Sequence, residues 1–461
     1  MALPLDTRDL PPTPPFRRLI GPSFIILGLG LGSGEIILWP YLTSNYGLGL
    51  VWAIVIGVTM QFFINMEVGR YALIHGESIF VGFARWLRFL PFWFILSTFL
   101  GFGWPGIGLA GATLLGHAFS ISSVKIASIV IFLAIGLILS LGRVAYTTVE
   151  TLQKYLILAG TPFIFLLTLY LSRGTDWAAL GRGLIGQGAG FSFLPAGISL
   201  ATFLGALAYS GAGGNLNLAQ SFYIRDKGYG MGAFAEKIKS VFTDPHAATA
   251  AIRLSGSTFP VTPENLSRFR RWWKLTNLEH LLVFWFLGLV TMLMLALLSF
   301  VTAYGHPGNP SGINFVLTEA ANIGANTLPF IAPLFLVVIG LMLAATQLTV
   351  LDSTSRIITE NLLLTQSRSQ GRISRTYYIV LWSQIAFGLA VILAGFTQPR
   401  DLIILSAVIN AFSMLVYTGL ILGLNNTRLP RPLRPSLARN IILIAAFIFL
   451  LVLCLATLLN P

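Results

Sequence analysis

Apolar runs of roughly 20 residues recur along this chain, each the length a helix needs to cross a hydrocarbon core about 30 Å thick. Few architectures accept such a pattern. Lipid offers no hydrogen-bond partners, so only α-helices and closed barrels can satisfy a spanning backbone. The short alternating segments of a barrel are absent. The sequence therefore predicts an all-α polytopic membrane protein. Charge content agrees: 10% of the 461 residues are charged, against roughly 25% in a soluble chain.

The runs place helices near 19–43, 49–73, 90–117, 123–142 and 148–172, a first group of five. A second group follows near 194–222, 276–302, 326–362, 375–397 and 401–425, with an eleventh helix near 438–459. The expected divisions are a tail over 1–18, two five-helix units over 19–173 and 194–425, and the last helix. The tail is polar and proline-rich and lacks the apolar stretch of a cleavable signal, so it reads as cytoplasmic.

Basic residues collect in cytoplasmic loops. With the N-terminus inside, only Lys125, Arg173, Arg182 and Arg400 of the 29 fall outside. A missed helix would invert every later loop and spoil that asymmetry. The odd count places the C-terminus outside, in a multi-pass protein of the plasma membrane. The net charge of +13 follows loops rather than one face, which argues against a nucleic-acid partner. Nine of the basic residues lie in Arg225 to Lys274, with Arg268, Arg270 and Arg271 beside Trp272 and Trp273. That segment is expected on the inner membrane surface, binding anionic lipid or acting as a regulatory element. Cys454 is the single cysteine, so no intrachain disulfide forms.

Two glycine-rich stretches stand in the opening helices of the two groups. The first is Gly28-Leu29-Gly30-Leu31-Gly32-Ser33-Gly34-Glu35, the second Tyr209-Ser210-Gly211-Ala212-Gly213-Gly214-Asn215-Leu216-Asn217. Interrupted helices in corresponding halves point to a transporter site, because unwound backbone persists in a membrane only where it is buried in protein or lines a hydrated cavity. Close helix packing through small residues is the other use of such glycines. The candidate binding residues are Gly32, Ser33, Glu35, Gly211, Gly214, Asn215 and Asn217.

Glu35 lies about sixteen residues into the first apolar run. A charge near the bilayer centre costs at least roughly 2.5–3.5 kcal/mol and marks an ion or proton path by default. Glu35 either coordinates a cation, is protonated and released during transport, or serves as a hydrogen-bonded structural lock. Asp352 belongs either to the cavity or to a pair with Arg356, four residues on and on the same helix face. Asn410 reaches the cavity or makes an interhelical hydrogen bond. Glu67 with Arg70, and Glu150 with Lys154, read as structural pairs. His117 and His280 lack metal-ligand spacing, and Trp104-Pro105-Gly106 predicts a kink. No nucleotide-binding loop, catalytic triad or zinc-protease motif occurs, so neither ATP-driven transport nor an enzyme is indicated, and no cofactor is implied.

The stretch Gly21-Pro22-Ser23-Phe24 through Gly47, Leu50 and Trp52 resembles the first helix of the Nramp divalent-metal transporters. Further similarities are Gly76 after the second helix, Tyr146, Glu150 and Lys154 at the fifth, and Asn215-Leu216-Asn217-Leu218 in the sixth. The resemblance implies the inverted five-plus-five repeat of the amino acid, polyamine and organocation superfamily, with an eleventh helix. It also implies alternating access by a bundle containing helices one and six, and import of manganese, iron and related divalent ions, usually with protons.

The departures fall on the functional motifs. Gly32-Ser33-Gly34-Glu35 stands where the family has Asp-Pro-Gly-Asn, and Ala212-Gly213-Gly214 where it has Met-Pro-His. The soft sulfur ligand is gone, and the acidic residues of the family's third helix have no counterpart around Phe99 to Gly116. A partly hydrated hard cation such as Mg²⁺ would suit an oxygen-lined site of Glu35, Ser33, Asn215 and backbone carbonyls. The expected function is secondary transport of a divalent cation with Glu35 as metal ligand. The alternative is ion-coupled transport of a small organic solute on the same fold.

Overall fold

The computed structural model describes residues 5–142, 145–238, 240–242, 246, 252–309, 312–366, 370–396 and 398–459. Among them ten helices are long and apolar enough to cross a membrane. They are α1 (Pro22–Tyr46), α2 (Leu48–His75), α3 (Leu90–Ala118), α4 (Val124–Leu141) and α5 (Ala145–Leu171), then α7 (Pro263–Ala303), α8 (Ile331–Thr365), α9 (Ile373–Leu393), α10 (Pro399–Arg428) and α11 (Leu437–Leu459). Between α5 and α7 stands an interrupted element, α6, made of Leu200–Ala208 and Gln220–Lys227 joined through a 3₁₀ segment, Gly214–Ala219. Its halves are too short to span alone.

Glycine and proline set several ends. Pro22 opens α1, where its missing N–H costs nothing. Gly76 closes α2 in the left-handed conformation (φ 59°) and donates its N–H to Ala72 O. The kink expected at Trp104-Pro105-Gly106 is a full interruption of α3 between Phe102 and Gly106. The long α8 packs on α1, α3, α5 and α9 at the centre, while α11 rests against α10 and α2.

Neighbour relations fix the helix directions. Gly21 lies beside the Lys227 ammonium, Gly30 beside Gly211 and Gly34 beside Tyr209, so α1 runs antiparallel to α6. That is the relation expected between opening helices of inverted halves. By contrast, Gln61 meets Gly213, Gly69 meets Ile224 and Gly76 meets Met231, so α2 runs parallel to α6.

Several charges inside the bundle are paired. Glu67 accepts from Arg70 Nε (2.6 Å) and Arg439 Nη1 (3.2 Å), and both guanidiniums cover the Trp273 ring. Asp352 accepts from Arg356 Nε (2.9 Å) and from Tyr377 OH (2.6 Å). Arg356 continues to Asp226 (2.5 Å), Asp226 to Arg225 (2.9 Å), and Arg225 to Glu360 (3.0 Å). The network joins the second half of α6 to α8. Glu150 does not take Lys154 as its partner; Lys227 at the end of α6 reaches it at 2.6 Å. Spacing along one helix cannot reveal that tertiary competitor.

Among its described residues, the segment Arg225 to Lys274 forms strand and helix. Strand residues Ser257–Thr258 pair with Asp6–Thr7 of the N-terminal tail, and α7 begins at Pro263, thirteen residues before its expected start near 276. Trp272 is buried and donates to Pro11 O (2.8 Å), so it faces the tail and not lipid, while Arg270, Arg271 and Lys274 are exposed.

Candidate functional site

The backbone of α6 opens between Ala208 and Gly214. Ser210 to Gly213 follow no helical path, and Gly213 (φ 71°) and Gly214 (φ 46°) take left-handed conformations that glycine adopts without a Cβ clash. Opening strands polar backbone groups, and one side chain of α2 collects several of them. Gln61 donates through Nε2 to Ala208 O (3.0 Å) and accepts at Oε1 from Gly213 N (3.1 Å). On the facing side Trp39 Nε1 donates to Ser210 Oγ (2.9 Å), which in turn donates to Ala206 O (3.1 Å).

The matching break expected in α1 is not there. Its axis stays helical from Pro22 to Tyr46, widening at Gly34–Leu38 into a π turn. The α1 glycines serve close approach instead. Gly30 and Gly34 abut the backbone of Gly211 and Tyr209, while Gly28 and Gly32 take the side chains of Gln153 and Thr346. Thr346 Oγ1 also donates to Gly28 O (2.8 Å). Alternation every two residues places consecutive glycines on opposite sides of a helix, so one run serves two interfaces.

Glu35 sits in the π turn, wholly buried, and neither carboxylate oxygen has a hydrogen-bond partner among the described residues. Its Oε1 lies 3.8 Å from where a Cβ on Gly288 would stand, so it faces α7. That helix carries its own π segment, Leu281–Leu287, ending at Gly288. Such turns recur at functional sites. Among the described residues no partner forms the hydrogen-bonded lock considered for Glu35.

The asparagines point elsewhere. Asn215 Nδ2 donates to Ser97 Oγ (2.8 Å) and Thr98 Oγ1 (2.9 Å) on α3, and Asn217 Nδ2 to Tyr417 OH (2.8 Å) on α10. Asn410 Nδ2 donates to Gly101 O (2.7 Å) and Tyr209 OH (2.9 Å), and its Oδ1 crowds Gly214. In all three the carbonyl oxygen is buried without a partner among the described residues. Beside Tyr209, Gln347 and Ser406 lies a small cavity with room for about one water molecule.

The predicted site residues thus fall into separate places. Gly214, Asn215, Asn217 and Asn410 line the side of the opened helix toward α3 and α10; Gly32 packs on α8, Gly211 on α1, and Glu35 faces α7. Asp352 belongs to the ion network between α6 and α8. The Ser33 side chain lies outside the described residues. No group of three or more His, Cys, Asp or Glu among the described residues is placed to hold a metal.

Sequence reading passed over Gln61, a polar residue at the middle of an apolar run and a visible signal in itself. It also gave no role to Glu279 of α7, which is buried against the start of α1. Glu279 accepts the N–H groups of Gly21 and Ser23 (both 3.2 Å) and the Ser23 hydroxyl, and Ser23 Oγ contacts His280 Nδ1 (2.7 Å). A carboxylate there satisfies orphan donors at a helix N-terminus.

No family profile and no curated protein sequence matches the chain. Solved structures do. A manganese transporter from Eremococcus coleocola aligns in two mutant forms with TM-scores of 0.71 and 0.67, at 15% identity, covering 98% of this chain and 89% of that one. MhsT in complex with L-phenylalanine aligns at a TM-score of 0.51 and 12% identity, covering 95% and 97%. At these identities the likeness is one of fold: an inverted five-plus-five helical membrane architecture with an eleventh helix.

Proposed function

We propose that this protein is a secondary transporter working by alternating access, with residues 19–173 and 194–425 as its inverted halves and the N-terminus cytoplasmic. It carries a divalent cation past Glu35 and the opened segment of α6. One observation carries this reading: a fully buried carboxylate, free of hydrogen bonds among the described residues, sits on the helix that packs directly against the break. An unpaired charge in that position is expensive, and a passing cation relieves the cost. The Asn215, Asn217 and Asn410 carbonyl oxygens are hard donors suited to Mg²⁺ or Mn²⁺ that keeps part of its water. The manganese transporter of similar fold supports the same class of substrate.

A second reading is specifically favoured by the lone carboxylate. With no cluster of acidic or histidine ligands among the described residues, Glu35 would equally serve as coupling group or amine partner for a small organic solute. The deciding measurement is Mn²⁺ and Mg²⁺ uptake into proteoliposomes with pH recorded on both sides, comparing the native chain with Glu35→Gln. Cation transport predicts uptake that drops by about tenfold or more in the variant, the loss of roughly 1.4 kcal/mol of interaction. The internal pH trace reports whether protons accompany the ion. Absence of uptake of either ion in the native protein overturns the cation assignment, and solute-dependent currents then test the second reading.

A further inference from the structure

The parallel course of α2 and α6 brings together two side chains that no part of the mechanism above uses. Gln61 is level with Gly213, Gly69 with Ile224, Leu73 with Gly230 and Gly76 with Met231. Asn65 is one turn before Gly69, and Gln220 one turn before Ile224. The register therefore sets Asn65 opposite Gln220, just inward of the break. Both residues are wholly buried, and all four of their amide atoms, Asn65 Nδ2 and Oδ1 and Gln220 Nε2 and Oε1, have no hydrogen-bond partner among the described residues.

Two amides in contact would pair with each other, because each carries a donor and an acceptor. These do not. Buried polar groups left unpaired by protein are met by ordered water or a ligand, and two facing amides offer the two to four partners a water molecule needs. We infer that Asn65 and Gln220 form a hydrated polar subsite on the inward leg of the transport path, taking water and, through water, a substrate that keeps part of its hydration shell. The site is neutral. It cannot compensate a stripped divalent charge, so it passes a hydrated cation or a neutral polar solute and does not trap either.

The position suits release. Gln61 holds the break open one turn above Asn65, while the Asp226–Arg356 network begins below Gln220 on the same half of α6. A solute leaving the break toward the cytoplasm meets the amide pair before the ion pairs. This inference rests on the transport reading for its purpose, but not for its test.

The test places single cysteines at Asn65 and Gln220 in a Cys454→Ser background and follows their reaction with a small, membrane-permeant methanethiosulfonate reagent in liposomes. Leu73→Cys, on the same helix in dry packing, is the control. A hydrated subsite predicts labelling at both positions at least about tenfold faster than at Leu73→Cys, since thiol reactivity follows access of water and reagent. Labelling no faster than the control at both positions overturns the inference, whatever the uptake assays give. A second measurement covers variants that fold poorly. Asn65→Leu and Gln220→Leu should keep the native melting temperature, because neither removes a protein hydrogen bond, yet should slow uptake of whichever solute is carried. A lowered melting temperature in both would reveal a directly bonded amide pair and defeat the proposal.

Discussion

The opening helices of the two halves carry similar glycine-rich stretches in corresponding places, yet α1 stays helical through a π turn while α6 comes apart. Glycine count does not separate them. In α1 every glycine is followed by Leu, Ser or Glu, and the alternation allows two flat sides against which α6 and α8 close in. In α6 Gly213 and Gly214 are adjacent, both with positive φ, and the flanking Ser210 and Asn215 are polar. A second difference lies outside both helices. Opening costs hydrogen bonds, and only α6 has a neighbour, Gln61, that replaces them. The α1 stretch is therefore best understood as the surface that lets α6 open, by bringing Gly30 and Gly34 against its backbone.

The largest expected effect comes from removing that replacement. Gln61→Leu strands Ala208 O and Gly213 N–H in a dry interior, and each unsatisfied group costs roughly 1–3 kcal/mol. A loss of about 2–6 kcal/mol is expected, read as a large drop in melting temperature in detergent. Transport should fall with it. If Gln61→Leu melts like the native protein, α6 does not depend on α2 for its opening, and the contrast with α1 loses its cause.

Next comes the tightest contact of α1. A methyl at Gly34 would overlap the Tyr209 carbonyl, which is backbone and has nowhere to rotate. Gly34→Ala should destabilise by roughly 1–3 kcal/mol, the range for overpacking a filled interior. The same substitution at Gly28 meets the far end of the Gln153 side chain, so it should cost less. Measuring both by thermal unfolding separates close packing, which predicts that order, from a flexible stretch, in which both changes would be mild.

These contrasts mark how far the sequence is readable. The spanning helices are legible because apolar length is a property of each segment alone, and Gly76 as a helix end follows from local backbone preference. The opening of α6 is legible in part, since adjacent glycines beside asparagines favour it. What is not legible is tertiary. Nothing around Glu150 announces that Lys227 will outcompete Lys154, and nothing in the Gly28 to Glu35 run says whether neighbours will press against its glycines or leave them room. Asp352 shows the same limit: its pairing with Arg356 is visible in the four-residue spacing, but Tyr377 and Asp226, which bury the pair in a network, come from distant segments. Asn215 and Asn410 are visible as polar residues in apolar runs. That they turn toward α3 while Glu35 turns toward α7 depends on helix rotation, which weak apolar asymmetry leaves undetermined.

The smallest effect is also the most specific to α6. Gly213 has a φ of 71°, and a side chain in the left-handed region costs roughly 1–2 kcal/mol for an L-residue. Gly213→Ala should therefore cost about that much, or somewhat more because the new methyl also meets the Tyr209 ring. The Gly213 ψ of 158° lies outside the left-handed helical pocket that asparagine tolerates, in a region essentially reserved for glycine, so Gly213→Asn should recover none of the loss. Combining Gly213→Ala with Tyr209→Leu separates the causes, because the second change removes the ring that the new methyl meets. Additive losses of melting temperature would tie the stability of the opened segment to its turn rather than to its packing. A double variant less damaged than the sum would mean that Gly213 is glycine for the reason Gly34 is, and the two halves would then differ less than their backbones suggest.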